Sequence, residues 1–385
     1  MSVSTRQSVS RSEKTSVVID LGSLICKCGF AGEACPRKEI RTTDRVRQLF
    51  GLVGEGYGET SQQGRRSKDE WLEAVLVLFQ DIYFVHLHCK PKERRVLVVL
   101  YEQAPSDLKW ACAKGLLEYF QVPSVSFGSC TGMALFTSGL TSGMVVDVGH
   151  LDARVAVAYD GCFIETSFRS CSVEEQTMQS ILNDSPEAEN EENLVMAMLE
   201  SLRACSETVR PVVVQNIIIC GGLLLPEELK GDCKLVASIQ ETVLQSIRAV
   251  VDRSVRYSCL KPCINKYAKV SRLGGTPPRQ IAWIGGSVAA SLGKFPEKSA
   301  TLKMFSEYPY MFDSSDIRWP ELQRRLGRSN EMYGYKLGES PKTSSGSRRV
   351  SRGSVAKLDL EEEEEEEEGY VVVRSVVDAP IVNYK

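Results

Sequence analysis

Two apolar runs in this sequence end on the same kind of turn. Val17–Leu21 and Met144–Val148 are each apolar except for one aspartate, and a glycine follows each run. Continuous apolar runs of this length are typical of strands buried on both faces of a sheet. A second strand-like run follows each of them, Ile25–Phe30 and Arg154–Tyr159. The pattern therefore predicts two related hairpins.

Strand-like and helix-like spacing alternates through the rest of the chain. The predicted strands are Val96–Leu100, Pro123–Phe127 and Val212–Cys220, and the predicted helices are Trp71–Leu87, Leu108–Phe120, Ser129–Thr137, Asn193–Cys205 and a long amphipathic helix that carries Leu235 to Val250. A turn at Trp283–Ser287 is predicted to open one more helix, rich in small residues. Strands that alternate with helices indicate an α/β layer fold.

The hairpin turns carry candidate chemistry. Asp20 with Gly22, and Asp147 with Gly149, each bring a carboxylate and a backbone without a side chain to one edge of a sheet. Glycine lets backbone N–H groups approach an anion closely, and a carboxylate can hold the waters of a Mg²⁺ ion. The two turns therefore predict phosphate-binding hairpins around a nucleotide cleft. Gly221–Gly222 could admit an anion in the same way, with close packing as the alternative.

Composition narrows the classes of function. The chain has 385 residues, is 43% hydrophobic and has a formal charge of −3, which becomes about +5 without the run Glu361–Glu368. This balance is too small to indicate a nucleic-acid partner. The Ser-rich stretch Met1–Ser16 lacks the apolar core of a signal peptide, and no apolar run approaches the ~18 residues of a membrane span. We therefore expect a cytoplasmic protein with no direct membrane insertion.

Cysteine and histidine positions give no strong metal signal. The thirteen cysteines are irregularly spaced, which is typical of reduced and mostly buried thiols. His86, His88 and Cys89 form the one local group with ligand chemistry. They close an apolar helix, where imidazoles are ordinary. A zinc site is therefore not expected there.

Four ordered motifs resemble the actin family. Asp20 to Glu33 with Pro36–Arg37 resembles its first phosphate hairpin, Gly143–Gly149 its second, and Pro277–Leu292 its motif near the C-terminus, while Lys90–Val99 with Glu118–Val125 fits between them. The resemblance implies an actin-like α/β fold, with two related half-domains around a cleft for ATP or ADP with Mg²⁺. The residues that it implies as nucleotide ligands are Asp20, Gly22, Ser23, Lys27, Asp147, Gly149, Gly221, Gly222 and Arg279, with Asp20 and Asp147 holding the metal through water.

The sequence departs from the family at positions that matter for hydrolysis. By position, His150 replaces an acid, Arg154 replaces a histidine, and Cys130 replaces the glutamine that orients the attacking water. Hydrolysis needs a group that holds or deprotonates this water. We therefore expect that this chain is not an enzyme. The stretch from Gly161 to Gly221 is about half as long as the corresponding segment of actin. Either the outer lobe of the second half-domain is largely missing, or the sequence is incomplete there.

The resemblance is closest to a non-polymerising branch of the family that caps the pointed end of the dynactin filament. It implies a structural subunit that binds this filament and its small pointed-end subunits, and indirectly dynein. The alternatives are an active actin-like ATPase and a nuclear actin-related subunit of a chromatin complex. The expected organisation is a disordered 1–14, half-domains at 15–143 and 144–300, a segment at 301–329 that packs on the first half, and a disordered basic and acidic tail at 330–385. Within this tail, Tyr370–Val377 favours a strand that could add to a partner's sheet.

Overall fold

A computed structural model describes most of the chain up to Tyr308. The described residues are 14–44, 46, 49, 68–150, 152–172, 194–222, 233–271, 273, 276–292, 299–308 and 373–375. The predicted N-terminal segment, most of residues 41–67 and nearly all of the predicted tail lie outside these residues. The same holds for Ser314–Val371.

A five-stranded sheet forms the first half-domain. Its strands are β1 (Val17–Leu21), β2 (Ile25–Phe30), β3 (Lys38–Arg41), β4 (Val96–Leu100) and β5 (Val125–Ser129), in the order β3-β2-β1-β4-β5. Strands β1, β4 and β5 are parallel, whereas β2 is antiparallel to both of its neighbours. Alternate residues of β1 enter different cores, with Val17 and Ile19 on one face and Val18 on the other. This burial on both faces explains the continuous apolar run.

Helices cover the first sheet on both faces. On one face lie α1 (Lys68–Gln80) and α2 (Ser106–Lys114), and each continues into a π-helical turn, Asp81–His86 and Gly115–Tyr119. On the other face lies α3 (Cys130–Ser138), which leads into the second half-domain. The Ser129 side chain caps the start of α3 by accepting a hydrogen bond from the Gly132 N–H, and Gly139 ends the helix in a left-handed conformation.

The second half-domain repeats part of this arrangement. Its strands are β6 (Gly143–Val148), β7 (Asp152–Tyr159), β8 (Cys162–Ile164), β9 (Arg169–Ser172), β10 (Ile217–Cys220) and β11 (Val373–Ser375). The order is β10-β6-β7-β8-β11, and β9 pairs with β7. As in the first sheet, the hairpin is antiparallel and its first strand is parallel to a later one, here β10. Strand β11 is antiparallel to β8 of the same chain, so this tail segment extends its own sheet.

The helices of the second half-domain pack mainly on one face of this sheet. They are α4 (Leu194–Arg203), α5 (Arg210–Val213), α6 (Cys233–Arg253) and α7 (Lys261–Tyr267). The predicted strand Val212–Cys220 is wrong in its first half. Pro211 lies in the first turn of α5, a position that suits proline because its missing N–H is not needed there, and the strand begins only at Ile217.

Two helices lie between the sheets, α3 and α8 (Ile281–Ser291). The prediction of a turn at Trp283–Ser287 is wrong, because these residues lie inside α8. A Cβ atom at Gly285 would lie 1.7 Å from the Met133 carbonyl oxygen of α3, so the glycine allows the two backbones to touch. Close packing, the alternative to an anion site, therefore explains the pair Gly285–Gly286.

The remaining described elements are short. A 3-10 turn at Pro278–Gln280 precedes α8, and α9 (Leu302–Glu307) follows a bridge between Ala300 and Val125 of β5. Phe305 of α9 enters the core of the first half-domain. Among the helices in the described part of the chain, none is long and apolar enough to cross a membrane.

Candidate nucleotide-binding site

The first hairpin holds a buried ion pair. Asp20 of β1 lies opposite Lys27 of β2 in the strand register, so their side chains share a face of the sheet. The Lys27 Nζ donates to Asp20 Oδ2 at 2.8 Å, and the two residues are only 9% and 5% exposed. Burial alone would lower the pKa of Lys27, but the charge of Asp20 and this hydrogen bond raise it above its ordinary value. Lys27 is therefore charged at neutral pH.

The turn of the first hairpin is tightly closed. A Cβ atom at Gly22 would lie 2.6 Å from the Ile25 carbonyl oxygen, a distance that real Cβ atoms do not adopt. Ser23 follows in the turn, and its carbonyl oxygen accepts a hydrogen bond from Thr42 Oγ1 at 2.7 Å. This turn therefore places the backbone of Gly22 and Ser23 beside the Asp20–Lys27 pair, at the carboxyl end of β1.

The second hairpin has the same register but a different pairing. Asp147 of β6 lies opposite Arg154 of β7. The Arg154 Nη2, however, lies 2.6 Å from Asp152 Oδ1, without the alignment of a hydrogen bond, and its guanidinium carbon lies 4.0 Å from the centroid of the Tyr101 ring. The arginine is therefore held to one side of Asp147 by a second carboxylate and an aromatic face.

Asp147 consequently has an unusual acidity. Desolvation raises its pKa to about 6, and the nearby charges of Glu102 and Asp20 act in the same direction. Arg154 and Lys27 act in the opposite direction but do not cancel the effect. A carboxylate with a pKa of about 6 is mostly ionised at pH 7 and is neutralised by mild acid.

The glycines of the second half-domain have different environments. The Gly149 N–H donates to the Asp152 carbonyl at 2.9 Å, and an added Cβ atom would lie 3.0 Å from that oxygen. Gly221 has a positive φ of 115° and abuts the Val148 backbone, so its absent side chain serves close packing. Around Gly222, in contrast, a Cβ atom would have no neighbour within 4 Å among the described residues. Of the predicted pair, Gly221 is therefore the one whose missing side chain close packing explains.

Arg279 is held by an acid of the first sheet. Its Nε lies 3.0 Å from Glu39 of β3, and the Gln280 side-chain amide donates to the same carboxylate at 2.7 Å. The preceding residue, Pro278, accepts a hydrogen bond from the Gly221 N–H. This turn thus ties β3 to the end of β10. The expected place of Arg279 beside an adenine ring stays a prediction.

The start of α3 places a thiol, that of Cys130, close to the carboxylates of Asp20 and Asp147. Cys130 is buried, and desolvation raises its pKa well above its ordinary value, with the charges of Asp147 and Asp20 acting in the same direction. A thiol in these surroundings stays protonated, so it neither deprotonates a water molecule nor offers the two-sided hydrogen bonding of an amide. His150 follows Gly149 and is half-buried.

Sequence reasoning missed Glu102. It follows β4 at the carboxyl end of the parallel strands, and its Oε1 accepts a hydrogen bond from the Thr131 N–H at 2.5 Å in the first turn of α3. A carboxylate at a helix N-terminus is stabilised by the unpaired N–H groups and the helix dipole. The available signal was an acid directly after a buried strand, in the segment that connects two motifs.

The donor set fits a metal held through water rather than bound directly. Within the described residues, no group of three or more His, Cys, Asp or Glu side chains could hold a metal ion, including the His86–Cys89 segment. Mg²⁺ keeps several of its waters and needs only one or two carboxylates. Asp20 and Asp147 suit this role, and Lys27 with the Gly22 and Gly149 turns suits a phosphate. The expectation that these residues bind a nucleotide with its metal, and that the chain does not hydrolyse it, stays a prediction.

Comparison with known proteins agrees with this geometry. Residues 69–191 match the family model of actin. This part of the chain is therefore similar to actin, which agrees with the actin-like α/β fold. The matched residues run from α1 through the second hairpin and include Cys130 and Asp147.

Individual relatives are similar over part of the chain. Actin-like protein 7A of Bos taurus is 31% identical over 170 residues, which cover 38% of this chain and 37% of the relative. Actin-related protein 10 of Dictyostelium discoideum is 24% identical over 183 residues, covering 43% and 38%, respectively. Actin-like protein 7B of Mus musculus is 24% identical over 217 residues, covering 51% and 52%. The chain thus spans well under half the length of Actin-like protein 7A, and the similarity supports the actin family without selecting one member.

Proposed function

We propose that this chain is a non-polymerising, actin-related structural subunit that caps the pointed end of a dynactin-type filament. Its similarity to Actin-related protein 10 supports the branch, and its similarity to actin supports the kind of filament it would meet. Under this proposal its partners are the filament and the small pointed-end subunits. It acts in the cytoplasm and supports dynein-based transport along microtubules indirectly.

One contrast among the described residues supports the proposal: Asp20 and Lys27 are placed to hold a phosphate and its metal, whereas Cys130 is poorly suited to orient a water molecule. The Asp20–Lys27 pair is intact, whereas a buried neutral thiol stands at Cys130, where the family has an amide. A subunit that keeps its nucleotide unhydrolysed suits a permanent cap better than a treadmilling filament.

A cap must also offer one filament interface and lack the opposing one. The segment 41–67 differs from the insertion that forms polymer contacts in actin, and the stretch from Gly161 to Gly221 is short. In the family, both regions lie on the end where the next subunit would dock. Their alteration favours attachment of this chain to a filament end without further growth.

Recovery of the protein from cytosol, followed by electron microscopy, tests the cap directly. We expect dynactin components to copurify with a tagged full-length chain, and we expect the tag to label one end of the short filament. The isolated protein should form no filaments. Filaments of the isolated protein, or purification without any dynactin component, would contradict the proposal.

Nucleotide assays separate the cap from an active ATPase. Purified protein should hydrolyse ATP slower than filament-forming actin by several powers of ten, because the water-orienting group is missing. ATP with Mg²⁺ at millimolar concentration should nevertheless raise the melting temperature, and Asp147→Ala should reduce that shift. Turnover at actin-like rates that Asp147→Ala abolishes would instead establish the enzyme. If there is no thermal shift, the cleft serves the fold only.

A further inference from the structure

An open pocket lies at the far end of β2 from the phosphate turn. Its volume is about 450 Å³, and its wall includes Phe30, Arg37, Leu87, Cys89 and Arg94. Strand β2 spans six residues, which places the pocket roughly 20 Å from the Gly22 turn. The pocket is therefore separate from the nucleotide site, and both could be filled at once.

Two guanidinium groups frame an aromatic ring in this pocket. The guanidinium carbons of Arg37 and Arg94 lie 4.4 and 4.5 Å from the centroid of the Phe30 ring. Glu33 pairs with Arg37 at 2.6 Å, and Arg94 Nη1 donates to the Thr15 carbonyl at 2.6 Å. These contacts hold both planar groups in place while using only part of the five N–H donors that each arginine carries. The donors are therefore positioned before any ligand arrives.

The surroundings of the pocket carry more basic than acidic residues. Arg37, Arg94 and Glu33 line the pocket itself, and Glu33 pairs with Arg37. The two segments that contribute the arginines, Arg37–Lys38 and Lys90–Arg95, together hold six basic residues and one acidic residue. Lys38, Lys90 and Lys92 are exposed. The floor, in contrast, is apolar and includes the buried residues Phe30 and Leu87. Basic donors above an apolar floor suit a ligand that combines negative charge with one hydrophobic side chain.

We propose that this pocket binds an acidic peptide segment of a partner protein, with carboxylates on Arg37 and Arg94 and an apolar side chain on the Phe30 floor. Guanidinium groups bind carboxylates through paired, charge-assisted hydrogen bonds. An open pocket of about 450 Å³ admits part of an extended chain, whereas a compact small anion would not fill it. The site offers the protein a contact that is independent of its nucleotide.

Peptide binding tests the proposal on the full chain. The probe is a short, fluorescently labelled peptide of glutamates around one leucine, and its control has glutamine in place of glutamate. Only the acidic probe should bind, with an affinity that falls as salt is raised from 50 to 300 mM, because exposed charges are screened. Arg37→Gln and Arg94→Gln should each weaken binding about tenfold.

Arg256→Gln supplies a matched control. Like Arg37, Arg256 is about half exposed, pairs with a glutamate and lies over an aromatic ring, but it belongs to the second half-domain. This variant should bind the probe as the wild type does. Equal weakening in all three variants would show that binding depends only on the net charge of the protein. Equal binding of the glutamine peptide would show that the arginines do not recognise carboxylates. Either result overturns the proposal.

Thiol labelling locates the bound peptide independently of these variants. Cys89 is half-buried in the pocket, whereas Cys259 is exposed in the second half-domain. The acidic probe should slow alkylation of Cys89 and leave that of Cys259 unchanged, as read by mass spectrometry. Unchanged labelling of Cys89 at saturating probe would place binding elsewhere. Displacement of the probe by inorganic phosphate at an equal concentration would indicate a small-anion site. Either outcome contradicts the proposal.

Discussion

The two hairpins of this protein share a backbone and differ in their electrostatics. Each places an aspartate opposite a basic residue, Asp20 opposite Lys27 and Asp147 opposite Arg154. In the first hairpin, the opposing groups form a direct ion pair. In the second, Arg154 pairs with Asp152, and Asp147 lies among desolvating atoms with a pKa of about 6. The same register therefore produces one aspartate in a direct ion pair and one aspartate whose charge mild acid can remove.

This difference shows how little the backbone determines about a charged site. The carboxylate of Asp20 is compensated within its own hairpin, so it contributes little net charge to the cleft. The charges of Arg154 and Lys27 offset the desolvation of Asp147 only in part, so a hydrated cation beside Asp147 would be stabilised more strongly. Binding of a nucleotide with its metal is therefore expected to depend more on Asp147 than on Asp20.

The largest expected effect is that of Lys27→Met. Removal of one partner leaves Asp20 charged and buried, which typically costs about 3 to 5 kcal/mol of unfolding free energy. Arg154→Met should cost about 1 to 2 kcal/mol, because Asp152 keeps more access to water than Asp20 does. Urea unfolding of both variants measures the difference.

A double variant guards against an unrelated packing defect. Asp20→Asn combined with Lys27→Met removes both charges and should recover much of the loss, since no uncompensated charge remains. Equal losses for Lys27→Met and Arg154→Met would show that the two hairpins are electrostatically equivalent after all.

Asp147→Asn should raise the free energy of unfolding, whereas Lys27→Met and Arg154→Met lower it. Without nucleotide at pH 7.5, the variant should be more stable than the wild type by about 3 kcal/mol, because a carboxylate whose pKa is raised on folding destabilises the native state when ionised. This advantage should shrink as the pH falls from about 6 towards 4, because the native wild type binds a proton before its unfolded chain does. Thermal unfolding across this range measures it, and a pH-independent gap would contradict the raised pKa.

The matched turn glycines should differ by a smaller amount. Gly22→Ala should cost about 2 kcal/mol and Gly149→Ala about 1 kcal/mol, because the added methyl group meets a backbone oxygen at 2.6 Å in the first turn and at 3.0 Å in the second. Unfolding midpoints of the two variants at equal slope give the comparison. A more costly Gly149→Ala would reverse the proposed order of tightness.

Glu39→Gln should have the smallest effect. Burial would raise the pKa of Glu39, but hydrogen bonds from Gln280 and Arg279 hold it below its ordinary value. Its contribution is therefore present above about pH 4.5 and is lost as the pH falls further. Because the pair is partly solvated, we expect a loss of only about 0.5 to 1 kcal/mol at neutral pH. Native-state hydrogen exchange at Gly221 would report loosening of the turn that ties β3 to β10.

The central strands β1, β2, β4 and β6 could be predicted from the sequence because their burial leaves an almost unbroken apolar run, whereas the short strands β3, β8 and β9 were missed. Val96–Leu100 has the predicted limits. The helix limits were less accurate, since α1 ends at Gln80 and the predicted Leu87 end includes a π-helical turn, whose extra residue per turn keeps a nearly helical spacing. The apolar stretch before Ile217 was ambiguous because a short buried helix and a strand have the same composition.

The candidate site was predictable only where its residues are close in sequence. Asp20 and Lys27, and Asp147 and Arg154, are each seven positions apart across one turn, and the motifs include them. The partner of Arg279 is Glu39, 240 residues away, and no local pattern connects them. Glu102 was missed for a related reason, because its partner is the backbone at the start of a different element.

The contact between α3 and α8 has a mechanical consequence. Where Gly285 meets Met133, the helices touch through backbone atoms, and side chains provide no cushion that could compress or slide. Translation of one half-domain across the other would force these backbones into each other. Rotation about the contact would not. Opening and closing of the cleft should therefore occur as a rotation about this contact. Any side chain at position 285 would force α3 and α8 apart and displace the axis of that rotation.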